Sequence, residues 1–403
     1  MNSSAIPLDA QITALTSAVQ SNRESLDDAA RLKAITAARG LLAALHSPAE
    51  TVIQDSIMNS VLPMALRMGV QLDAFRAICD DQGQGTTTQQ IADRSGASVV
   101  LVDQIMRVLI ASGYISEVDI QTYKPSPLTK VMADPIFEAT IRACFDLGTF
   151  CSTGAPAFFR KNNNQFPSSV KDTPFQLAMN TELSYFEWLG QNPEVASDFQ
   201  QWMTLKQKET PNWVDWFDVQ GRIIDGFRSD SPDGNNVLLV DIGGGEGHYL
   251  HALNEKFPPP SLPGRLVLQD LPHVISSIKT PPGGTELMAH DFFTSQPVKG
   301  ARAYYMHYIL HDWADEQART ILGHIVDAME PDYSRLIIND CVIPDRNCDF
   351  PTACLSVMMM VLVGAFERSE RQWRELLNSV GLTDVVFHQP PGNSEGIIEA
   401  IRS

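Results

Sequence analysis

The segment VDIGGGEGHYL, residues 240–250, sets four glycines and one glutamate between an apolar run and the start of a helix. Gly243, Gly245 and Gly247 permit a tight turn and the close approach of a ligand, while the helix that follows aims free N–H groups at it. The spacing is GxGxG rather than GxGxxG, and Glu246 stands inside the turn, where it would repel a pyrophosphate. A ligand with a positive centre and no phosphate suits it better. A second apolar run ends in Asp270, where a carboxylate accepts hydrogen bonds from ribose hydroxyls, so the pair of motifs points to a nucleoside. Further on, His311 stands in LHDW after another apolar run. An imidazole titrates near neutral pH and can take a proton from a hydroxyl when a carboxylate fixes its other nitrogen.

These residues need a frame. VLLVDIGGG, RLVLQDL, ARAYYMHYIL, SRLIINDCVI and LTDVVFHQP read as strands separated by helical segments. In one such segment, Asp315 to Met329, the residues Ala318, Ile321, Leu322, Ile325 and Met329 share a face. Alternation of this kind predicts an α/β domain over residues 231–403, with a mostly parallel sheet covered by helices on both faces. The glycine turn then falls at the carboxyl end of the first strand, where open α/β sheets bind ligands.

The rest of the chain has other rhythms. The first 50 residues suggest a long amphipathic helix suited to docking. From Ser56 to Asp134, Val102, Ile105, Met106, Leu109 and Ile110 recur at helical spacing inside a helix-turn-helix, and Gly113 ends that helix before a strand pair, the wing. Such a module can read DNA, with Ser98 to Arg107 as the recognition helix. Yet the segment's few cations are interleaved with Asp93, Asp103, Glu117 and Asp119, and the whole chain of 403 residues has a net charge of -18. That charge repels a phosphate backbone, so packing or dimerisation is expected and nucleic acid is not. Residues 135–230 read as helical and aromatic-rich, with FFRKNNNQFPSS as an exposed loop, LSYFEWLGQNPEVASDFQQWM as paired helices and a break at SDSPDGNN.

Six cysteines show no CxxC pair, which indicates neither a disulfide framework nor a metal site. No apolar run approaches the roughly 18 residues of a membrane span, and the N-terminal stretch lacks a basic start followed by an apolar block; a cytoplasmic protein is expected.

Taken in order, VDIGGGEGH, LQDLPHVI, HDFF, YILHDWADEQA, IINDCVIPD and ERSERQWRELLNSVGL resemble the S-adenosylmethionine-dependent O-methyltransferases of plant caffeate and isoflavone type, and especially their fungal secondary-metabolism relatives. The resemblance covers nearly the whole chain and implies a Rossmann-like methyltransferase domain behind a helical, winged-helix dimerisation domain over residues 1–134. It implies a homodimer using S-adenosyl-L-methionine as cofactor. Gly243 and Gly244 would line the methionine moiety, Asp270 would hold the ribose, and Asp291 and Phe292 would lie against the adenine. His311 would be the proton acceptor, flanked by Asp340 and Glu367.

Two positions depart from the family pattern. His307 stands four residues before His311, where the family usually has a Lys or Arg that contacts the cofactor, so His307 would be the cofactor contact here, and Asp340 is one methylene shorter than the usual Glu. Met358, Met359 and Met360, with Phe145, Phe150, Phe175, Met179, Tyr185, Phe186 and Trp188, are candidates for an apolar acceptor pocket, although more than half should be ordinary core. The expected activity is methylation of a hydroxyl on an aromatic or polyketide-derived small molecule. The alternative is a methyltransferase-like pericyclase, which binds the same cofactor while guiding a cycloaddition or dehydration.

Overall fold

The strand that ends at the glycine turn, β4 (Val237–Ile242), is buried at every position, and its residues pack to both sides. Val240 and Ile242 lie among Ile321, Leu322 and Trp373, whereas Leu239 packs with Leu250, Leu253 and Trp213. A strand with two buried faces belongs in the middle of a sheet carrying helices on each side. The computed structural model, which describes residues 7–22, 26–81, 83–229, 236–258, 261–390 and 395–402, places it there.

Three short strands come first in the chain, β1 (Thr86–Thr87), β2 (Ile115–Asp119) and β3 (Thr122–Pro125), and they form their own antiparallel sheet in the order β1-β3-β2. The large sheet contains β4, β5 (Arg265–Asp270), β6 (Thr285–Ala289), β7 (Ala303–His307), β8 (Arg335–Ile343), β10 (Leu382–His388) and β11 (Glu395–Arg402). Its order is β10-β11-β8-β7-β4-β5-β6, and the two-residue β9 (Arg368–Ser369) pairs with the end of β8. Strands β4 to β8 run parallel; β11 is antiparallel to β8, and β10 to β11. Strand β4 therefore has β5 on one side and β7 on the other. That is a switch point, and a crevice opens at the carboxyl ends of these strands.

All five strands expected in this region form, and the sequence reading missed β6, β11 and the two-residue β9. The β6 run TELMA is short and only partly buried. The helix over Asp315–Val326 buries Ala318, Ile321, Leu322 and Ile325 as spaced, but it ends before Met329, which is buried in the turn beyond it.

The chain divides into two compact units, one running to Asn59 and the other beginning at Ser60. In the first, the helices Leu8–Asn22 and Pro48–Ile53 bury no residue. In the second, the helices Thr88–Ser95 and Val99–Ala111 make the helix-turn-helix, with Val102, Ile105, Met106 and Leu109 buried. Arg94 there pairs with Asp73 and Asp80, and Arg107 with Asp103. Within FFRKNNNQFPSS the FFRK portion is the end of the helix Phe150–Lys161, with Phe158 buried, and the remainder is loop. The paired helices are Tyr185–Gln191 and Pro193–Glu209. Most of the break SDSPDGNN and the first six residues lie outside the described residues.

Candidate active site

Each glycine of the turn after β4 has its own reason to be glycine. Gly243, Gly245 and Gly247 have φ of 70°, 57° and 82°, a region side chains disfavour. At Gly244 the constraint is space, since a Cβ would lie 2.4 Å from Leu268 Cδ1 and 2.5 Å from Asp241 Oδ2. The turn is stitched to β5. The amides of Gly243 and Gly244 donate to the Gln269 carbonyl at 2.8 and 3.2 Å, and the Gly245 amide donates to Asp270 Oδ2 at 2.8 Å. Asp270 Oδ1 accepts from the Leu271 amide, so this carboxylate shapes the loop as well as facing the crevice. Beneath the turn, Asp241 Oδ2 is buried with no hydrogen-bond partner, and burial together with Asp270 pushes the Asp241 carboxyl up to about 7.

Two cavities meet at this turn. The larger, about 730 Å³, is lined by Gly243, Asp270, Asp291, Phe292, Ile309, Asp312 and Trp313, and by Tyr185 and Phe186 from the helix Tyr185–Gln191. The expected ribose and adenine contacts Asp270, Asp291 and Phe292 thus share one wall. The smaller, about 310 Å³, takes in Gly243, Gly244 and Gly245 with Lys206, Tyr249, His307, Tyr308 and Glu395. Gly243 belongs to both, and a Cβ there would meet Ile309 Cδ1 at 2.6 Å.

His311 lies in a single 3-10 turn, Leu310–Asp312, directly after β7. It is only 8% exposed. Its Nδ1 is 3.0 Å from Glu367 Oε1 and 3.8 Å from Asp340 Oδ1, and its Nε2 is 3.6 Å from Asp312 Oδ1. Asp340 comes from β8, and Glu367 immediately precedes β9, whose pairing with β8 brings the two acids side by side. Arg368, 1% exposed, holds the histidine's turn in place, donating to the carbonyls of Leu310 and Trp313 at 2.8 and 2.7 Å and to Asp315.

Burial alone would lower the His311 pKa, but Asp340, Asp312 and Glu367 together outweigh it and raise it to about 9. Asp312 and Asp340 are themselves raised, by burial first and by their acidic neighbours, while His311 pulls each back down. The trio His311, Asp340 and Glu367 brings its nitrogen and oxygen atoms within 4.8 Å of one another. The hydrogen bond at 3.0 Å makes this first of all a proton-holding cluster.

His307 sits differently. Its Nε2 is 2.9 Å from Glu395 Oε1 and 3.0 Å from the Tyr249 hydroxyl, and the Tyr308 hydroxyl donates to Glu395 Oε2 at 2.9 Å. Burial holds its pKa below the usual histidine range despite Glu395, so the ring is neutral at pH 7 and does not supply the charge of a Lys or Arg. Of the candidate acceptor-pocket residues, Tyr185 and Phe186 line the larger cavity, while Phe175, Met179, Trp188, Met358 and Met359 pack into a core cluster. The sequence reading missed Lys206, Tyr249, Arg368 and Glu395. Only Arg368, beside Glu367 in ERSERQW, carried a local signal.

The O-methyltransferase domain family matches residues 234–383, and the O-methyltransferase dimerisation domain family matches residues 55–134. Demethylsterigmatocystin 6-O-methyltransferase of Aspergillus parasiticus is 34% identical over 86% of this chain and 86% of its own length. The chain belongs to the O-methyltransferase family. Among solved structures, LepI in complex with S-adenosylmethionine is similar to this methyltransferase with a TM-score of 0.84 at 30% identity, covering 98% of this chain and all of that one. A pericyclic reaction enzyme is equally similar, with a TM-score of 0.84 at 30% identity over 98% of this chain and 99% of that one. The methyltransferase uses S-adenosylmethionine, and the residues present fit it. The larger cavity offers an aromatic wall and the acid Asp270, and Gly243 lines both it and the smaller cavity, where Lys206, His307 and Glu395 stand. Among the described residues no helix is long and apolar enough to cross a membrane.

Proposed function

We propose that this methyltransferase methylates a hydroxyl of an aromatic or polyketide-derived small molecule, with His311 as general base. The observation that carries the reading is the bond between His311 Nδ1 and the buried Glu367 carboxylate, with Nε2 on the side of Asp312, a residue of the larger cavity's wall. A carboxylate can only accept, so it fixes the proton of the neutral ring on Nδ1 and leaves the Nε2 lone pair for the acceptor. Asp340 adds negative charge next to the ring and raises its basicity. With its pKa raised to about 9, His311 comes close to a phenol near 10, so the proton transfer is nearly balanced. The cofactor supplies a methyl already activated on a sulfonium, whose positive charge also favours the neutral imidazole. The chain's own task is then alignment and proton removal.

Gly243 and Gly244 are read as the methionine wall, Asp270 as the ribose acceptor, and Asp291 and Phe292 as the adenine contacts. Their common placement around two joined cavities supports this. The acceptor class rests on the apolar lining beyond the adenosine wall and on the likeness to the demethylsterigmatocystin 6-O-methyltransferase of Aspergillus. Incubation with methyl-labelled S-adenosylmethionine and a panel of hydroxylated aromatic polyketides tests it, with label in the product as the expected result.

The second reading, a pericyclase that retains the cofactor, has one specific support in the similarity to the solved pericyclic reaction enzyme. It predicts a product isomeric with its substrate, or a dehydrated one, and no label. The exposed Leu15, Val19, Leu42, Val52 and Ile57 on the N-terminal helices support a homodimer, with the helix-turn-helix and β2–β3 hairpin as a winged helix. We read residues 1–134 as the dimerisation region, 135–230 as the helical link to the pocket and 231–403 as the catalytic domain of a cytoplasmic enzyme.

A further inference from the structure

The smaller cavity holds a charge pattern that the base chemistry does not use. Lys206, from the helix Pro193–Glu209, is the one Lys or Arg in its wall, and its Nζ stands 3.8 Å from the centre of the Tyr308 ring. Among the described residues it makes no ion pair within 4 Å. Tyr308 is itself tied to Glu395, so the ring that carries the ammonium is held in place. Glu395 is 6% exposed and bonded to His307 and Tyr308, and it contributes one negative charge to the same wall. The Asn212 side chain adds an amide whose oxygen is spent on the Val214 amide. A simple anion would meet Lys206 but also Glu395 and, at the glycine turn, Glu246. A simple cation would meet the reverse. A group with a carboxylate and an ammonium a few bonds apart satisfies both.

Such a group enters from a definite direction. Gly243 lies in the walls of both cavities, so a nucleoside bound against Asp270 and Phe292 would direct its 5′ substituent past it toward Lys206. We infer that Lys206 and Glu395 form a paired-charge subsite for the zwitterionic amino-acid end of S-adenosylmethionine, with Lys206 on the carboxylate and Glu395 toward the ammonium. The assignment rests on the cofactor placement proposed above. It also accounts for the neutral His307: its ring bonds Glu395 and leaves the positive charge to a lysine from the helix Pro193–Glu209.

Two nucleosides separate the subsite from the rest of the cofactor site. S-adenosylhomocysteine carries the amino-acid end and methylthioadenosine lacks it. Calorimetry on the full chain should show Lys206→Met weakening S-adenosylhomocysteine by about 10- to 100-fold, the range for a charge-assisted bond, while methylthioadenosine stays within about twofold. Lys206→Arg should recover most of the loss. Equal weakening of both nucleosides, or none, overturns the proposal. Unchanged S-adenosylhomocysteine binding with lost binding of para-hydroxybenzoate would assign the lysine to an acid on the acceptor, and overturns it as well. If neither nucleoside binds the unaltered protein, the cofactor placement itself fails.

Discussion

Glu367 Oε1 lies 3.0 Å from His311 Nδ1 although the two residues are 56 positions apart in the chain. The contact depends on two strands. Strand β7 delivers the turn that carries the histidine, and β9 pairs with β8 so that Glu367 arrives beside Asp340. Arg368 then locks the histidine's turn to the segment that holds its partner.

This geometry sets the pH profile. Because neighbouring carboxylates raise the His311 pKa to about 9, the free enzyme holds mostly imidazolium at pH 7, and kcat/KM should climb with pH through an acid limb near 9. Glu367→Gln removes one negative charge from beside the ring, so the limb should move to lower pH even as the maximum rate falls. A limb that stays in place, or moves up, would show that Glu367 does not act on His311.

The glycine turn tolerates little. Gly244→Ala places a methyl against Leu268 and the buried Asp241, and should destabilise the protein by about 1–3 kcal/mol. The measurement is the denaturant midpoint. An unchanged midpoint would mean that the turn has room to move and that packing does not require a glycine there.

Asp270 ties the loop together and is proposed to hold the ribose, and its loss should show both. Asp270→Ala forfeits the bonds to the Gly245 and Leu271 amides and, on the proposed cofactor placement, the ribose hydrogen bonds. Cofactor binding should weaken by on the order of 2–3 kcal/mol. Calorimetry with S-adenosylhomocysteine decides it, and full affinity in the variant would remove Asp270 from the site.

The hydroxyl of Tyr185 is buried with no hydrogen-bond partner, while the residue lines the larger cavity. An unsatisfied buried donor costs stability in the free protein. Tyr185→Phe should therefore raise Tm in the absence of ligand and raise KM for an oxygenated acceptor. A lower Tm would show that the hydroxyl has a structural task instead.

Much of this arrangement was legible in the chain. The run VLLVDIGGGEGH announced a buried strand and its turn, because continuous apolar residues followed by glycines have few other solutions. Asp270 and His311 were legible because each closes an apolar strand. Strand β11 was not, since GIIEAIR carries Glu399 in its middle; that charge is accommodated by Arg222, Arg335 and His388 from elsewhere. Lys206 and Glu395 were illegible for the same reason. They lie 189 positions apart, and only the folding of the helix Pro193–Glu209 over the sheet makes them one site. The basicity of His311 also escaped the sequence, which suggested an ordinary imidazole because Asp312, Asp340 and Glu367 had no visible distances to it.

The most direct test follows the methyl group. With methyl-labelled S-adenosylmethionine and the natural acceptor, the unaltered protein should place label on an acceptor oxygen, and His311→Ala should lose about 10²–10⁴-fold in turnover while still binding S-adenosylhomocysteine. An unlabelled product that is an isomer or a dehydrated form of the acceptor, with His311→Ala merely slowing its formation, would contradict methyl transfer and make His311 a hydrogen-bond donor in a rearrangement.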